Sequence, residues 1–142
     1  MMEKTKWLIL ISIIIIIVLF GPFIFGILEN ELAIKELRKG NYEVALRHIN
    51  RALSVDQKNP LYYYNAAEAL RLLGKFKEAI DAYEKASNLS PGFVQAYIRI
   101  LDLSLETGCL SKAEKYLQLW RRYEKTGEQD RYLKQINELK KN

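Results

Sequence analysis

The sequence predicts an all-α protein: one membrane-crossing helix, then an α-solenoid of about three helix–turn–helix repeats, then a C-terminal capping helix. Three observations carry this reading. An uncharged apolar run extends from Trp7 to Leu28. Beyond it, glycine, alanine and large apolar positions recur at an interval of 34 residues, the signature of a repeat array. The segments between these glycines place apolar residues at helical rather than strand spacing.

WLILISIIIIIVLFGPFIFGIL holds Ser12 as its only ordinary polar side chain. As a helix it is about 33 Å long, close to the hydrocarbon thickness of a bilayer. Trp7 and Leu28 bound the expected anchor, Ile15 sits near its middle, and Gly21-Pro22 is expected to kink it. A cleaved signal peptide has a shorter apolar core and small residues at its cleavage site. This run is longer, and Phe23 to Leu28 supplies no such site, so a retained anchor is expected. Lys4 and Lys6 stand directly before the run, whereas Glu29 and Glu31 precede Lys35, Arg38 and Lys39 after it. That proximity favours a cytoplasmic N-terminus with the bulk of the chain extracytoplasmic, although the cation counts on the two sides are nearly even. The expected organisation is a tail over 1–6, the membrane helix over 7–28, repeats over 29–59, 60–93 and 94–127, and a capping helix and tail over 128–142.

The repeat is visible in parallel ladders: Gly40, Gly74 and Gly108; Ala45, Ala79 and Ala113; Tyr42, Phe76 and Leu110. In the middle copy, Pro60 opens a helix that runs to Leu73, and Gly74 ends it. Phe76 to Leu89 forms the second helix, with Phe76, Ala79, Ile80, Tyr83 and Ala86 on one face. Ala67 and Ala79 permit close approach of the pair. Each pair has an apolar face it cannot bury alone, so the pairs must stack. No Pro, Gly or Ser linker separates the apolar run from the first repeat, so the repeats are expected close to the bilayer, on a helix continuous with the span. After Gly127, Leu133, Ile136 and Leu139 fall at helical spacing, as in a capping helix.

This pattern resembles the tetratricopeptide repeat, over about residues 29–127. Tyr63, Ala66, Ala67 and Leu70 occupy the signature places of that family's first helix; Ala79, Tyr83, Ala86 and Pro91 occupy those of its second. The third copy keeps Tyr97, Ile100, Gly108, Ala113 and Leu117, but Trp120 replaces its later alanine, so the regular stack is expected to change there. The resemblance implies a concave surface, lined by the first helix of each pair, that binds another protein. It assigns Ile34, Leu61, Tyr64, Asn65, Glu68, Arg71, Gln95, Ile98, Arg99 and Asp102 to that surface. Some members grip a partner's C-terminal carboxylates with a clamp of Lys, Asn and Arg. Asn65 and Arg99 match two of its five places, but Asn30 and Gln95 stand where Lys is needed and Ile34 where Asn is. An apolar or mixed groove for an extended segment or a helix is therefore expected instead.

Composition narrows the alternatives. The chain has 142 residues, 49% hydrophobic and 27% charged, with a net charge of +5. That is room for one core beyond the apolar run, not for a large multidomain enzyme. Residues 112–142 hold nine basic and five acidic groups; this is read as a solvated helix face, not the dense stripe of a nucleic-acid binder. One Cys and one His exclude an internal disulfide and a two-His metal site within the chain. His48 is read as a satisfied or exposed helix residue, Cys109 as partly buried packing, and Asn88-Leu89-Ser90 as a capping helix end rather than a glycosylation site. No phosphate-cradling loop, nucleophile elbow or metal motif occurs, so neither catalysis nor a cofactor is expected. The expected function is a membrane-anchored interaction scaffold, an adaptor or assembly factor; the alternative is a permanent accessory subunit of a membrane complex, held by its span and convex face.

Overall fold

Gly40, Gly74 and Gly108 all adopt positive φ, at 83°, 74° and 72°, where an L side chain clashes with its own backbone. In the computed structural model, which describes residues 2–141, each ends a helix with the same pair of bonds. The Gly40 and Asn41 amides donate to Leu37 and Glu36 carbonyls, Gly74 and Lys75 to Arg71 and Leu70, Gly108 and Cys109 to Leu105 and Ser104. This paired closure satisfies carbonyls that a helix end otherwise leaves open. The 34-residue period is thus a period of backbone geometry.

Among the described residues the chain forms seven helices: α1 Met2–Lys39, α2 Tyr42–Val55, α3 Pro60–Leu72, α4 Phe76–Leu89, α5 Val94–Glu106, α6 Leu110–Tyr123 and α7 Glu128–Leu139. They fall into two units, Met1–Gln57 and Lys58–Asn142.

The first unit is the α1–α2 hairpin. α1 continues without a break through Gly21-Pro22, and residues 2–6 belong to it instead of forming a separate tail; Met1 and Asn142 lie outside the described residues. From Trp7 to Leu28 the large side chains point outward, Ile15 and Pro22 among them. Buried positions on α1 begin at Gly26 and continue with Glu29, Asn30 and Ala33, the spacing of one helix face. α2 packs on α1 through Ala45, Ile49 and Ala52. His48 Nδ1 lies 2.6 Å from Glu29 Oε2, and Arg51 Nη1 lies 3.6 Å from Glu29 Oε1. The lone histidine is therefore a carboxylate partner within the hairpin.

The second unit packs α3 on α4, α4 on α5, α5 on α6 and α6 on α7. Asn59 caps α3 by accepting from the Leu61 amide at 3.1 Å, and Pro60 takes the first helical place. Ala67 and Ala79 are fully buried, which lets α3 and α4 approach closely. The core continues through Tyr83, Tyr97, Ile100, Leu101, Ala113 and Leu117 to Trp120 and Ile136. Trp120 meets Tyr132 edge-on, ring centres 6.0 Å apart. A large ring is accommodated where repeats elsewhere carry alanine because α7 supplies an aromatic wall.

Two further expectations need correction. α7 packs through Gln129, Tyr132 and Ile136, whereas Leu133 and Leu139 are exposed; the tyrosine, with its ring on Trp120 and its hydroxyl on Asp102, sets the face. Cys109 is exposed, because it precedes α6 at the N-cap rather than entering the core. The Asn88-Leu89-Ser90 segment is the helix end expected of it: Ser90 is the C-cap of α4, its backbone amide donating to the Ala86 carbonyl.

Candidate partner-binding face

Within the second unit, α3 and α5 present the predicted surface residues. Tyr64, Glu68 and Arg71 follow one another at helical spacing on α3; Gln95, Ile98, Arg99 and Asp102 do so on α5. Ile34 lies on α1, in the first unit.

Glu68 is the centre of the face. Its carboxylate accepts from Arg71 Nη2 at 2.8 Å, from Arg99 Nε at 2.9 Å and from the Tyr83 hydroxyl. Burial pushes this carboxyl up, but the Tyr83 and Arg71 hydrogen bonds, with the Arg99 and Arg71 charges, outweigh it and hold it below the usual glutamate range. Tyr83 itself is fully buried. Burial first, and then the neighbouring carboxylate, push its phenol far up, so it stays a hydrogen-bond donor. Arg99 Nη1 also lies 3.9 Å from Asp102 Oδ2, and the Tyr132 hydroxyl donates to Asp102 Oδ1 at 2.5 Å. Two carboxylates and two guanidinium groups thus balance one another across α3 and α5, locked from beneath by two tyrosines.

The remaining positions differ in access. Leu61 and Gln95 are exposed, and Tyr64 and Ile98 are half-buried. Tyr64 is held between Tyr83, 5.4 Å away edge-on, and Phe93, 5.0 Å away. Asn65 is only 7% exposed. The face therefore offers an aliphatic and aromatic margin of Leu61, Tyr64 and Ile98 beside a charge-neutral polar centre.

Sequence reasoning named Glu68, Arg71, Arg99 and Asp102 separately and missed that they bind one another. The signal was present: Glu68/Arg71 and Arg99/Asp102 repeat an acid–base pair three residues apart on adjacent first helices. It also missed a polar hollow of about 440 Å³ between α6 and α7, lined by Arg121, Lys125, Thr126, Gly127, Gln129 and Asp130. No cluster of three metal-ligating side chains occurs among the described residues. One helix among them, Thr5–Lys39, is long enough to cross a membrane and contains an 18-residue stretch with a mean hydropathy of 3.2.

Comparison with known proteins supports the repeat. Residues 30–93 match the tetratricopeptide repeat family model. The chain is 36% identical over 80 residues to the TPR repeat-containing thioredoxin TTL4 of Arabidopsis thaliana, covering 56% of this chain and 12% of that protein. It is 32% identical over 78 residues to stress-induced-phosphoprotein 1 of Caenorhabditis elegans, covering 55% of this chain and 24% of that one. The chain thus spans less than a quarter of the length of these curated relatives. Among solved structures it superposes on the second TPR domain of human RPAP3, in complex with the HSP70 peptide SGPTIEEVD, with a TM-score of 0.73 and 24% identity, over 86% of this chain and 100% of that one. The family model and the structural neighbours together support a tetratricopeptide-repeat fold for this chain.

Proposed function

We propose that the chain is a membrane-anchored tetratricopeptide scaffold that holds a partner protein at the bilayer, with no chemistry of its own. The observation that carries the membrane half is the uncharged run on α1 from Trp7 to Leu28, whose large apolar side chains all face outward. Lipid is the solvent such a surface matches. The proposed topology has the N-terminus in the cytoplasm and the repeats on the other side.

The binding half rests on the α3–α5 face. The RPAP3 domain is in complex with a peptide that ends in EEVD. Here the arginine that the family resemblance places in a carboxylate clamp is engaged: Arg99 is bound by Glu68 and flanked by Asp102. Two fixed carboxylates beside it repel an acidic tail, and Asn65 is buried. The ligand this face suits is an extended or helical segment with an apolar anchor for Leu61, Tyr64 and Ile98, and little net charge. Anchoring restricts the module to a surface and so raises its effective concentration toward membrane-bound partners.

The test is photo-crosslinking in native membranes with the probe at Tyr64. A discrete protein adduct, lost in the Tyr64→Ala, Arg99→Glu variant, is the expected result. A partner that co-purifies undiminished with that variant refutes the groove reading. Extraction of the chain from membranes by alkaline carbonate refutes the anchor.

A further inference from the structure

The α1–α2 hairpin limits how far the hydrocarbon can extend along the apolar run. α2 has 14 residues and folds back from the Gly40 turn, so it reaches along α1 as far as Gly26. Two contacts fix this register: His48 and Arg51 both meet Glu29. The burial pattern agrees, since Gly26 is the first buried position along α1 among the described side chains. Polar groups therefore stand beside the last residues of the run. Arg51 is level with Glu29 and mostly exposed; Val55, also exposed, is level with Gly26; and Asp56 follows as the C-cap of α2.

Charged groups do not sit in hydrocarbon without strong compensation. The hydrocarbon must then end near Phe25, not at Leu28. Trp7–Phe25 is 19 residues, about 28 Å of helix, which still matches a core of about 30 Å. The polar headgroup layer adds about 5–7 Å on each side. In helical rise, that layer takes in Gly26 to Glu29 of α1 and the last turn of α2.

We infer that the C-terminal turn of α2, Arg51 to Val55, is a second membrane contact seated in the headgroup layer. The Arg51 guanidinium meets lipid phosphate, and Val55 meets the upper acyl chains. This rests on the membrane-anchored reading above. The occupant is lipid because the surface is continuous with the apolar face of α1, and because an exposed guanidinium beside an exposed valine matches the phosphate–acyl boundary. Arg51 and Asp56 are the charges on this end of α2, and Glu29 faces Arg51 from α1, so the contact carries no net positive charge. Zwitterionic phosphatidylcholine therefore suffices, with no requirement for anionic lipid. The consequence is positional: the first helix pair is braced against the bilayer at two places instead of pivoting on a single span.

The test uses the full chain carrying Cys109→Ser, reconstituted in phosphatidylcholine vesicles. Nitroxide labels are attached singly through Ile15→Cys, Val55→Cys or Glu43→Cys. Collision with oxygen, which concentrates in the bilayer, is compared with collision with a water-soluble nickel chelate. The label at position 15 should be oxygen-dominated and that at 43 nickel-dominated. At 55, nickel access should fall several-fold below that at 43, with oxygen access between the two. Adding Arg51→Gln should raise nickel access at 55; no change refutes the role given to Arg51. Full nickel access at 55, with position 15 still in the bilayer, overturns this inference and leaves the anchor standing. Shielding of 55 from both reagents means a protein covers it, which also overturns it. Nickel access at position 15 instead removes the anchor itself.

Discussion

Glu68→Ala tests the centre of the α3–α5 face. The substitution leaves the buried Tyr83 hydroxyl without its acceptor, at a cost of about 1–3 kcal/mol. Arg71 and Arg99 lose their partner too, but their side chains are 30% and 40% exposed and can turn to water. Their shares fall to the exposed-pair range, together about 1 kcal/mol. The total is about 3 kcal/mol, or a drop of about 12–24 °C in Tm for a unit of this size. Glu68→Gln keeps an acceptor for Tyr83 and loses only the charge, so about 1 kcal/mol and about 4–8 °C are expected. The diagnostic is the cycle with Tyr83→Phe. That change should be costly in the parent chain and nearly free in Glu68→Ala, a coupling of at least about 1 kcal/mol. The assay is thermal unfolding of the full chain in detergent micelles, followed by near-ultraviolet circular dichroism, which reports tyrosine and tryptophan packing and is insensitive to the apolar helix. Additive costs for the two substitutions, or a Glu68→Ala chain melting within 2 °C of the parent (well under the ~4–8 °C per kcal/mol expected), would refute the network.

The same carboxyl gives the face an acid dependence. Its folded pKa lies below the ordinary value of 4.5, so its contribution is complete above that value and is lost as the pH falls through the lower folded one. Glu68→Gln should flatten the Tm-against-pH curve in that acid range; an unchanged slope counts against it. Trp120→Ala removes the wall between α6 and α7, at about 3–5 kcal/mol; amide exchange should quicken in α7 before α3 and α4, and uniform quickening would mean α7 does not depend on Trp120. Gly74→Ala should cost about 1–2 kcal/mol from its positive φ alone, since a Cβ there meets nothing within 4 Å. Gly92→Ala, equally open but without positive φ, is the control and should change Tm little.

What the sequence made legible follows from what each residue type forces. A glycine at positive φ has few substitutes, so Gly40, Gly74 and Gly108 marked the turns, and the small Ala67 and Ala79 marked close helix approach. The face of α7 was less legible because helical spacing alone admits two stripes, and the leucines outnumber the tyrosine. Only the presence of Trp120 opposite decides for Tyr132. Cys109 was misread because a small apolar side chain next to a turn has no pattern that distinguishes a cap from a core position.

The candidate face shows the harder limit. Residue type identified Arg99 as a group that can bind a carboxylate, and the structure gives it one, from Glu68 of the neighbouring helix pair in the same chain. The distance between α3 and α5 decides this, and it is set by packing beneath them. Tyr83 takes part in that packing, with its ring on Tyr64 and its hydroxyl on Glu68. On the proposed reading, a partner of this face would meet a guanidinium whose charge is already answered. To recruit Arg99 it must compete with Glu68, whose release would strand Tyr83. Binding through the apolar margin of Leu61, Tyr64 and Ile98 breaks none of these bonds, and for that reason the margin, rather than the charges, is where affinity for a partner can arise.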